Sequence, residues 1–215
     1  MHKQVHYSEM SQFPSSPNYE DIPELLKSFS KVQTERLRFR PLEMSDQQNL
    51  FAIMSDPEVS KYNRWDVHQT VSQSEDYIQA ALDLYAQGQY LEWAVCQEDN
   101  QLIGFFGIVW WMPDYASVEL GFSLNRAYWN RGLISEALTA LIHWGFAEMK
   151  INRFEAQCEI NNVSSQRVLE KLGWSCEGTL RDRVYFKEAF RNMKLFSLLK
   201  TDYLNSNFWQ LQHSL

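Results

Sequence analysis

A basic segment with one glycine, Arg126 to Gly132, separates two stretches of different periodicity. Before it, Ala116 to Leu124 alternates apolar or small residues with others, a pattern typical of a strand with one buried face. From Leu133 onward the apolar spacing predicts an amphipathic helix of about four turns. Such a junction leaves free backbone N–H groups at the helix start, which with the helix dipole stabilise an anion by roughly 0.3–1 kcal/mol per charge. The segment therefore predicts an anion site, and phosphate is the obvious ligand.

The same segment resembles the acetyl-CoA pyrophosphate loop of the GCN5-related N-acetyltransferase (GNAT) superfamily, Gln/Arg-x-x-Gly-x-Gly/Ala. Trp129 to Leu138 is similar, more narrowly, to the ribosomal-protein N-terminal (alanine/serine) acetyltransferase branch. Two further matches to that branch stand in the expected order: Thr34 to Leu42 with its opening strand, and Asn162 to Trp174 with N-x-x-S-x-x-V-L-E-K-x-G-F. The three matches together cover about residues 33–203, which makes the resemblance specific.

The loop departs from the superfamily pattern at two positions. Trp129 stands where the superfamily has Gln or Arg, although the branch often has Trp. Ile134 replaces a small residue, where a side chain could crowd the diphosphate. Because other members of the branch carry a bulky residue there, we expect Ile134 to be tolerated.

Composition sets the bounds of the prediction. The chain has 215 residues, 45% hydrophobic and 22% charged, which suits one soluble domain with a buried core. The net charge of −7 argues against a general nucleic-acid binder and fits a cationic acceptor such as an amine, although many chains are mildly acidic for no specific reason. Because no apolar run approaches the ~18 residues of a membrane span, we expect a cytoplasmic protein without membrane attachment.

Neither the histidines nor the cysteines suggest a metal centre. The five histidines are scattered along the chain, so metal dependence is not expected. Cys96, Cys158 and Cys176 lie in apolar or strand-like segments without ligand spacing, and we interpret them as reduced core thiols.

The predicted order of elements is β-α-α-β-β-β-α-β-α-β-β, an α/β fold with a mixed sheet. Residues 1–31 are predicted to be a loosely ordered extension with a short helix at Pro23 to Phe29, and to act as a disordered leader, a flap over the acceptor site or a dimer arm. Residues 32–204 form the acetyltransferase domain, and 205–215 form a tail. The resemblance implies a sheet that splays between its fourth and fifth strands, Ala116 to Leu124 and Asn152 to Ile160, with the pantetheine arm of acetyl-CoA in the gap.

The resemblance also implies which residues bind acetyl-CoA. They lie on the fourth strand, on the loop with the helix start, and at the start of the following helix. A backbone N–H near Phe122 to Leu124 would hold the thioester carbonyl oxygen. The expected set is Phe122, Ser123, Leu124, Asn130, Arg131, Gly132, Leu133, Ile134, Ser135, Asn162 and Ser165.

Glu119 is the candidate base, since acetyl transfer requires a neutral amine. An N-terminal α-amine with a pKa of ~7.7–8 is about one-tenth neutral at pH 7, a penalty near ~1 kcal/mol, whereas a lysine-like amine is penalised by roughly 4.6 kcal/mol. A modest base therefore suffices only for the α-amine. Glu119 shares a strand face with Gly121 and Ser123, and its carboxylate should open toward the splay. The alternative is a surface glutamate or a structural partner of an arginine.

Ser165 is the candidate for orienting or protonating the coenzyme sulfur, with helix capping as its alternative role. Asn162 is expected to bind the pantetheine or the acceptor, or to cap the helix. Many relatives use a tyrosine acid in this helix, but Val163 to Leu172 contains none, which leaves Tyr185 as an outside candidate. No cysteine is placed for an acyl-enzyme, so direct transfer in a ternary complex is expected.

The aromatic residues Tyr62, Trp65 and Trp110 are, with Glu119, the candidate acceptor contacts, and structural packing is the alternative for each aromatic residue. The acceptor predicted from the branch is a protein N-terminal α-amine. A small amine, such as a polyamine or an aminoglycoside, is the second hypothesis, and a non-catalytic acyl-CoA-binding module is the third. A homodimer stays open.

Overall fold

The computed structural model describes residues 22–89 and 92–205. Most of the predicted extension and tail therefore lie outside the described residues. The helices within these ranges are α1 (Ile22–Ser28), α2 (Gln47–Met54), α3 (Pro57–Ser60), α4 (Val71–Ala86), α5 (Leu133–Ala147), α6 (Val163–Lys171) and α7 (Lys200–Asn205). The strands are β1 (Arg38–Arg40), β2 (Glu92–Cys96), β3 (Leu102–Met112), β4 (Ser117–Leu124), β5 (Arg153–Glu159), β6 (Ser175–Phe186) and β7 (Ala189–Leu199).

The strands form one mixed sheet in the order β1-β2-β3-β4-β5-β7-β6. Only the β4–β5 pair is parallel among the described strands, and the other neighbours are antiparallel. The predicted mixed α/β fold is confirmed. Strand β6 lies at the sheet edge, and its pairing with β7 shifts register twice, between Cys176 and Gly178 and between Leu180 and Val184.

Strands β4 and β5 are paired at one end only. The pairs are Ser117 with Arg153, Val118 with Phe154 and Glu119 with Glu155. Beyond Glu119 the two strands part, which confirms the predicted splay.

The sheet is covered on both faces. On one face, the α5-side core joins Val118, Leu120 and Leu124 of β4 to the apolar stripe of α5. On the other face, the α4-side core joins α2 and α4 to β2 and β3, with the buried residues Leu50, Ile53, Ile78, Ala94 and Phe105. Because side chains alternate along a strand, Glu119 and Ser123 project from the face of β4 opposite α5.

Helix α5 approaches β5 closely at Gly145. A Cβ at this position would overlap the ring of Phe154. A residue without a side chain is therefore required where the helix crosses the strand.

Both ends of the described chain contribute to the core. The predicted helix near Pro23 is confirmed as α1, and residues 22–31 bring Leu26 and Phe29 into the α5-side core. The Phe29 ring is fully buried and lies 5.1 Å from the Trp144 ring, centroid to centroid. Helix α7 was not predicted from the sequence. It buries Tyr203 beside Phe146, with 5.1 Å between the ring centroids.

Two expectations about exposure are corrected. Cys96 and Cys158 are buried, which raises the pKa of each thiol to about 12, but Cys176 is exposed because it lies on the edge strand β6. The strict alternation along Asn152 to Ile160 predicts that Phe154, Ala156, Cys158 and Ile160 point inward and that Arg153, Glu155, Gln157 and Glu159 point outward. Glu159 is nevertheless only 5% exposed. Its carboxylate accepts hydrogen bonds from the backbone and side-chain nitrogens of Asn161, at 2.8 and 2.9 Å, which offsets the burial.

Two further observations concern the described residues alone. No helix among them combines the length and apolar character needed to cross a bilayer. Within the same ranges, no cluster of three or more histidine, cysteine, aspartate or glutamate side chains could hold a metal ion.

Candidate active site

The loop between β4 and α5 leaves backbone N–H groups without helical partners at the start of α5. Asn130 and Gly132 both have left-handed backbone conformations, with φ of 60° and 75°. The first helical hydrogen bond of α5 runs from the Glu136 nitrogen to the Gly132 oxygen at 3.0 Å, so the preceding amides at the helix start have no intrahelical carbonyl. This geometry is suited to anions.

The side chains of Leu133 and Ile134 point away from this anion site. Both are buried in the α5-side core, and Ile134 is only 8% exposed. Ile134 can therefore contribute only backbone groups to a ligand, whereas Leu133 also borders the cavity that Arg36 and Arg131 line. The bulk of Ile134 does not crowd the loop, which gives a physical reason for the expected tolerance.

A set of hydrogen bonds, here the Glu136 clamp, ties the loop to the chain before β1. The clamp consists of Thr34, Arg36, Arg131 and Glu136. The Glu136 carboxylate accepts from the Thr34 hydroxyl at 2.5 Å and from Arg36 Nε at 2.7 Å, and Arg36 Nη1 donates to the Arg131 carbonyl at 3.1 Å. Burial acts to raise the pKa of Glu136, but these hydrogen bonds outweigh it and hold the pKa below its ordinary value. The clamp therefore holds an ionised carboxylate in the first turn of α5.

The backbone of β4 alternates between β3 and the gap. The Asn125 nitrogen donates to the Ile103 carbonyl at 2.8 Å, so Ser123 also directs its backbone groups toward β3. Phe122 and Leu124 then face the gap, where the Leu124 carbonyl accepts from Trp129 Nε1 at 2.8 Å. Of the predicted strand residues, Phe122 thus directs its amide into the splay, whereas Ser123 can offer only its side chain.

Glu119 lies at the last paired position before the splay. Its side chain is 4% exposed, and Oε2 accepts hydrogen bonds from Trp110 Nε1 and from Gln157 Nε2, the latter at 2.9 Å. Burial raises the pKa of Glu119, and the nearby charge of Glu155 adds to this, while the two hydrogen bonds and Arg64 oppose it. The structure therefore brings Glu119 and Trp110 together, and Glu119 is a buried carboxylate rather than a surface one.

The loop after α3 approaches β4 through a residue that the sequence analysis did not select. Asn63 Nδ2 lies 3.5 Å from Ser123 Oγ and donates to the Val59 carbonyl at 2.8 Å. Trp65 instead packs against Phe105 at 5.9 Å between centroids, which is the structural alternative foreseen for it. Tyr62 is half-buried under Lys61 Nζ, which lies 5.4 Å from the ring centroid.

Asn162 caps helix α6, because its Oδ1 accepts from the Ser165 backbone nitrogen at 3.2 Å. The capping role foreseen for Asn162 is therefore present, and its side-chain nitrogen is the group left for a ligand. The cap uses the Ser165 N–H, so the Ser165 hydroxyl is not needed for it. Tyr185 packs edge-to-face against Phe190, with 5.1 Å between the ring centroids, near the turn of the β6–β7 hairpin and is 63% exposed.

Neither Gln157 nor the Glu136 clamp was predicted from the sequence, because each depends on contacts between residues that are far apart in the chain. Gln157 belongs to the polar face of β5, which alternation predicted to point outward. That face does oppose α5, but it lies beside Glu119 across the splay. Gln157 lies two residues beyond the pairing of Glu119 with Glu155, and no local pattern in the sequence gives that register.

The geometry of the loop and splay agrees with comparisons to known proteins. The family profile described as "Acetyltransferase (GNAT) domain" matches residues 36–175, well over half of the chain. The chain belongs to the GNAT acetyltransferase family. The predicted family is thereby confirmed.

Individual GNAT relatives support the same assignment. The uncharacterized N-acetyltransferase p20 of Bacillus licheniformis is 37% identical over 173 residues, which are 80% of this chain and 97% of that protein. The ribosomal-protein-serine acetyltransferase of Escherichia coli (strain K12) is 28% identical over 120 residues, 56% of this chain and 66% of that protein. The crystal structure of a GNAT acetyltransferase from Bacillus anthracis aligns with a TM-score of 0.71 and 26% identity, over 79% of this chain and 98% of that one.

GNAT acetyltransferases use acetyl-CoA, and the residues of this chain fit its diphosphate and its pantetheine arm. The left-handed residues Asn130 and Gly132 and the free amides of α5 suit a diphosphate. A Cβ placed on Gly132 would meet no atom nearer than Arg36 Nη2 at 3.8 Å, so the space before the loop is open. The splay beyond Glu119 leaves gap-facing backbone groups on β4 that an amide-bearing pantetheine arm can pair with.

Proposed function

We propose that this protein transfers acetyl from acetyl-CoA to a protein N-terminal α-amine of the ribosomal-protein type, by direct transfer in a ternary complex. The observation that carries the proposal is the buried Glu119 carboxylate, held by Trp110 and Gln157 where β4 and β5 part. A carboxylate with a raised pKa is a modest base, which suffices for an α-amine. The name of the Escherichia coli relative supports a ribosomal acceptor.

Each proposed role follows from a group on the chain. Acetyl-CoA, when bound, supplies the acetyl group as a thioester. The amides around Gly132 and the start of α5 would hold the diphosphate, and the gap-facing amide of Phe122 would donate to the carbonyl oxygen. The Ser165 hydroxyl lies at the first turn of α6, where it would orient or protonate the coenzyme sulfur.

Glu119 would take the proton that the α-ammonium must lose and pass it to water, which restores the carboxylate. The neutral nitrogen then forms its bond to the acetyl carbon while the carbon–sulfur bond breaks. The nitrogen releases a second proton to Glu119 or to water, and the sulfur gains one from Ser165 or water. One proton is released overall when the acceptor arrives as an ammonium.

An acceptor panel with detection of free thiol tests the proposal. The panel contains a peptide with a free N-terminal serine, the same peptide with a blocked N-terminus and an internal lysine, a polyamine and an aminoglycoside. We expect turnover with the free N-terminus alone. Turnover of the polyamine or aminoglycoside in its place would identify the small-amine function, and acetyl-CoA binding without any turnover would identify a non-catalytic binding module.

A further inference from the structure

Gln157 reaches across the splay from β5 and uses only half of its amide group. Its Nε2 donates to Glu119 Oε2 at 2.9 Å. Its Oε1 is buried and has no hydrogen-bond partner among the described residues. A buried acceptor without a donor lowers the stability of the fold by about 1–3 kcal/mol. A ligand that brings a donor to this oxygen would remove that cost.

Rotating the amide cannot remove the unpaired oxygen. A flip would place Oε1 against Glu119 Oε2, and two acceptors would repel when Glu119 is in the basic form that the proposed function requires. Trp110 Nε1, which contacts the same carboxylate, donates to Glu119 Oε2. The partner of Gln157 Oε1 must therefore be a mobile donor at the mouth of the gap.

We propose that Gln157 positions the acceptor by accepting one N–H of the incoming primary amine, while Glu119 accepts the other. This inference rests on the proposed function and adds Gln157 to it as a residue that discriminates a primary from a secondary amine at the acceptor N-terminus. A neutral primary amine has two N–H groups, one for each residue. A neutral secondary amine has one, so it leaves either Gln157 Oε1 or Glu119 without its donor.

A pair of peptides that begin with serine or with N-methylserine provides the test. For the wild-type protein we expect kcat/KM to be about 10-fold or more higher for the serine peptide, since a site that hydrogen-bonds an N–H discriminates against its loss. Gln157→Met keeps an unbranched side chain of similar size but removes the oxygen, so we expect this ratio to fall toward 1. The KM for acetyl-CoA should stay within about 2-fold, and Tm shows that the variant is folded.

Gln157→Glu supplies a second readout that separates recognition from packing. The glutamate retains an acceptor oxygen, so the preference for the primary amine should persist. A second carboxylate beside Glu119 should move the acid limb of the pH profile of kcat/KM to higher pH. The charged groups that already act on Glu119 are Arg64 and Glu155, and neither is changed in this variant.

Gln97→Leu is the matched control, because Gln97 is also a half-buried glutamine but follows β2, outside the splay. This control should retain the selectivity of the wild-type protein. Equal use of the two peptides by the wild-type protein, or an unchanged ratio in a folded Gln157→Met, would overturn the inference and leave the proposed function intact. Failure of the wild-type protein to acetylate the serine peptide would instead overturn the proposed function, and the inference with it.

Discussion

The surroundings of Glu119 explain why we propose it as the catalytic base. Its carboxylate is withdrawn from water but keeps two donors, and these opposing effects leave the pKa above its ordinary value. The negative charge is thereby less stable than on the surface, which makes the group a better proton acceptor. The proposed role of Glu119 therefore depends on the electrostatics of its immediate surroundings.

The first prediction concerns the change Glu119→Gln. We expect kcat/KM to fall about 100-fold, since general-base catalysis contributes on the order of 10²–10⁴-fold. In the wild-type protein the basic form is lost as the pH falls through the raised pKa, so kcat/KM should show an acid limb above the range of an ordinary glutamate. Steady-state kinetics between pH 5 and 9 measure both effects. A wild-type acid limb that persists unchanged in the variant would show that another group is titrating.

The second prediction separates capping from catalysis at the start of α6. Asn162→Ala removes the side-chain cap and should lower the free energy of unfolding by roughly 1 kcal/mol. Ser165→Ala keeps the backbone N–H that the cap uses, so we expect unchanged stability with a reduced kcat. Urea unfolding and steady-state kinetics on the two variants give the comparison. Equal loss of stability in both variants would contradict the assignment.

At the scale of elements, the Glu136 clamp joins the chain before β1 to the loop between β4 and α5. The third prediction is that Glu136→Gln raises the KM for acetyl-CoA roughly 10-fold with little change in kcat, because the carboxylate that binds Thr34 and Arg36 loses its charge. Glu148→Gln is the control, because this exposed glutamate lies at the opposite end of α5. An equal effect of the two changes on KM would show that only net charge matters.

The fourth prediction concerns the crossing of α5 and β5. Gly145→Ala would place a methyl group where the Phe154 ring lies, and overpacking of this kind costs about 1–3 kcal/mol. Alanine has the higher helix propensity, so an exposed glycine in a helix would respond in the opposite direction. The midpoint of urea unfolding gives the result, and a stabilised variant would mean that the strand can shift.

At the scale of the whole molecule, the sheet is divided at the splay and a ligand is expected to join its halves. The fifth prediction is that acetyl-CoA at 100 times its Kd raises the free energy of unfolding by about 2.7 kcal/mol. Hydrogen exchange should slow at the gap-facing amides of Phe122 and Leu124 more than at Ser123, which bonds to β3. Equal protection of all three amides would contradict the alternation described for β4.

The sequence predicted those parts of the fold that depend on local periodicity. Strand β4, helix α5 and the loop between them follow from alternation, helical spacing and a glycine at the junction. The Gln157–Glu119 contact could not be predicted, because it joins strands that are distant in the chain and lie close only where the sheet splays. The burial of Phe29 depends likewise on long-range partners, among them Trp93 and Trp144.

The edge position of β6 has a consequence for the behaviour of the protein at high concentration. An exposed strand is a template on which a second chain can add a strand and begin to polymerise. The two register shifts of β6 break its row of donors and acceptors, and the consecutive charges at Arg181, Asp182 and Arg183 fall in the second irregular stretch. Strand addition at this edge is therefore disfavoured, so the long edge strand β6 is protected against aggregation.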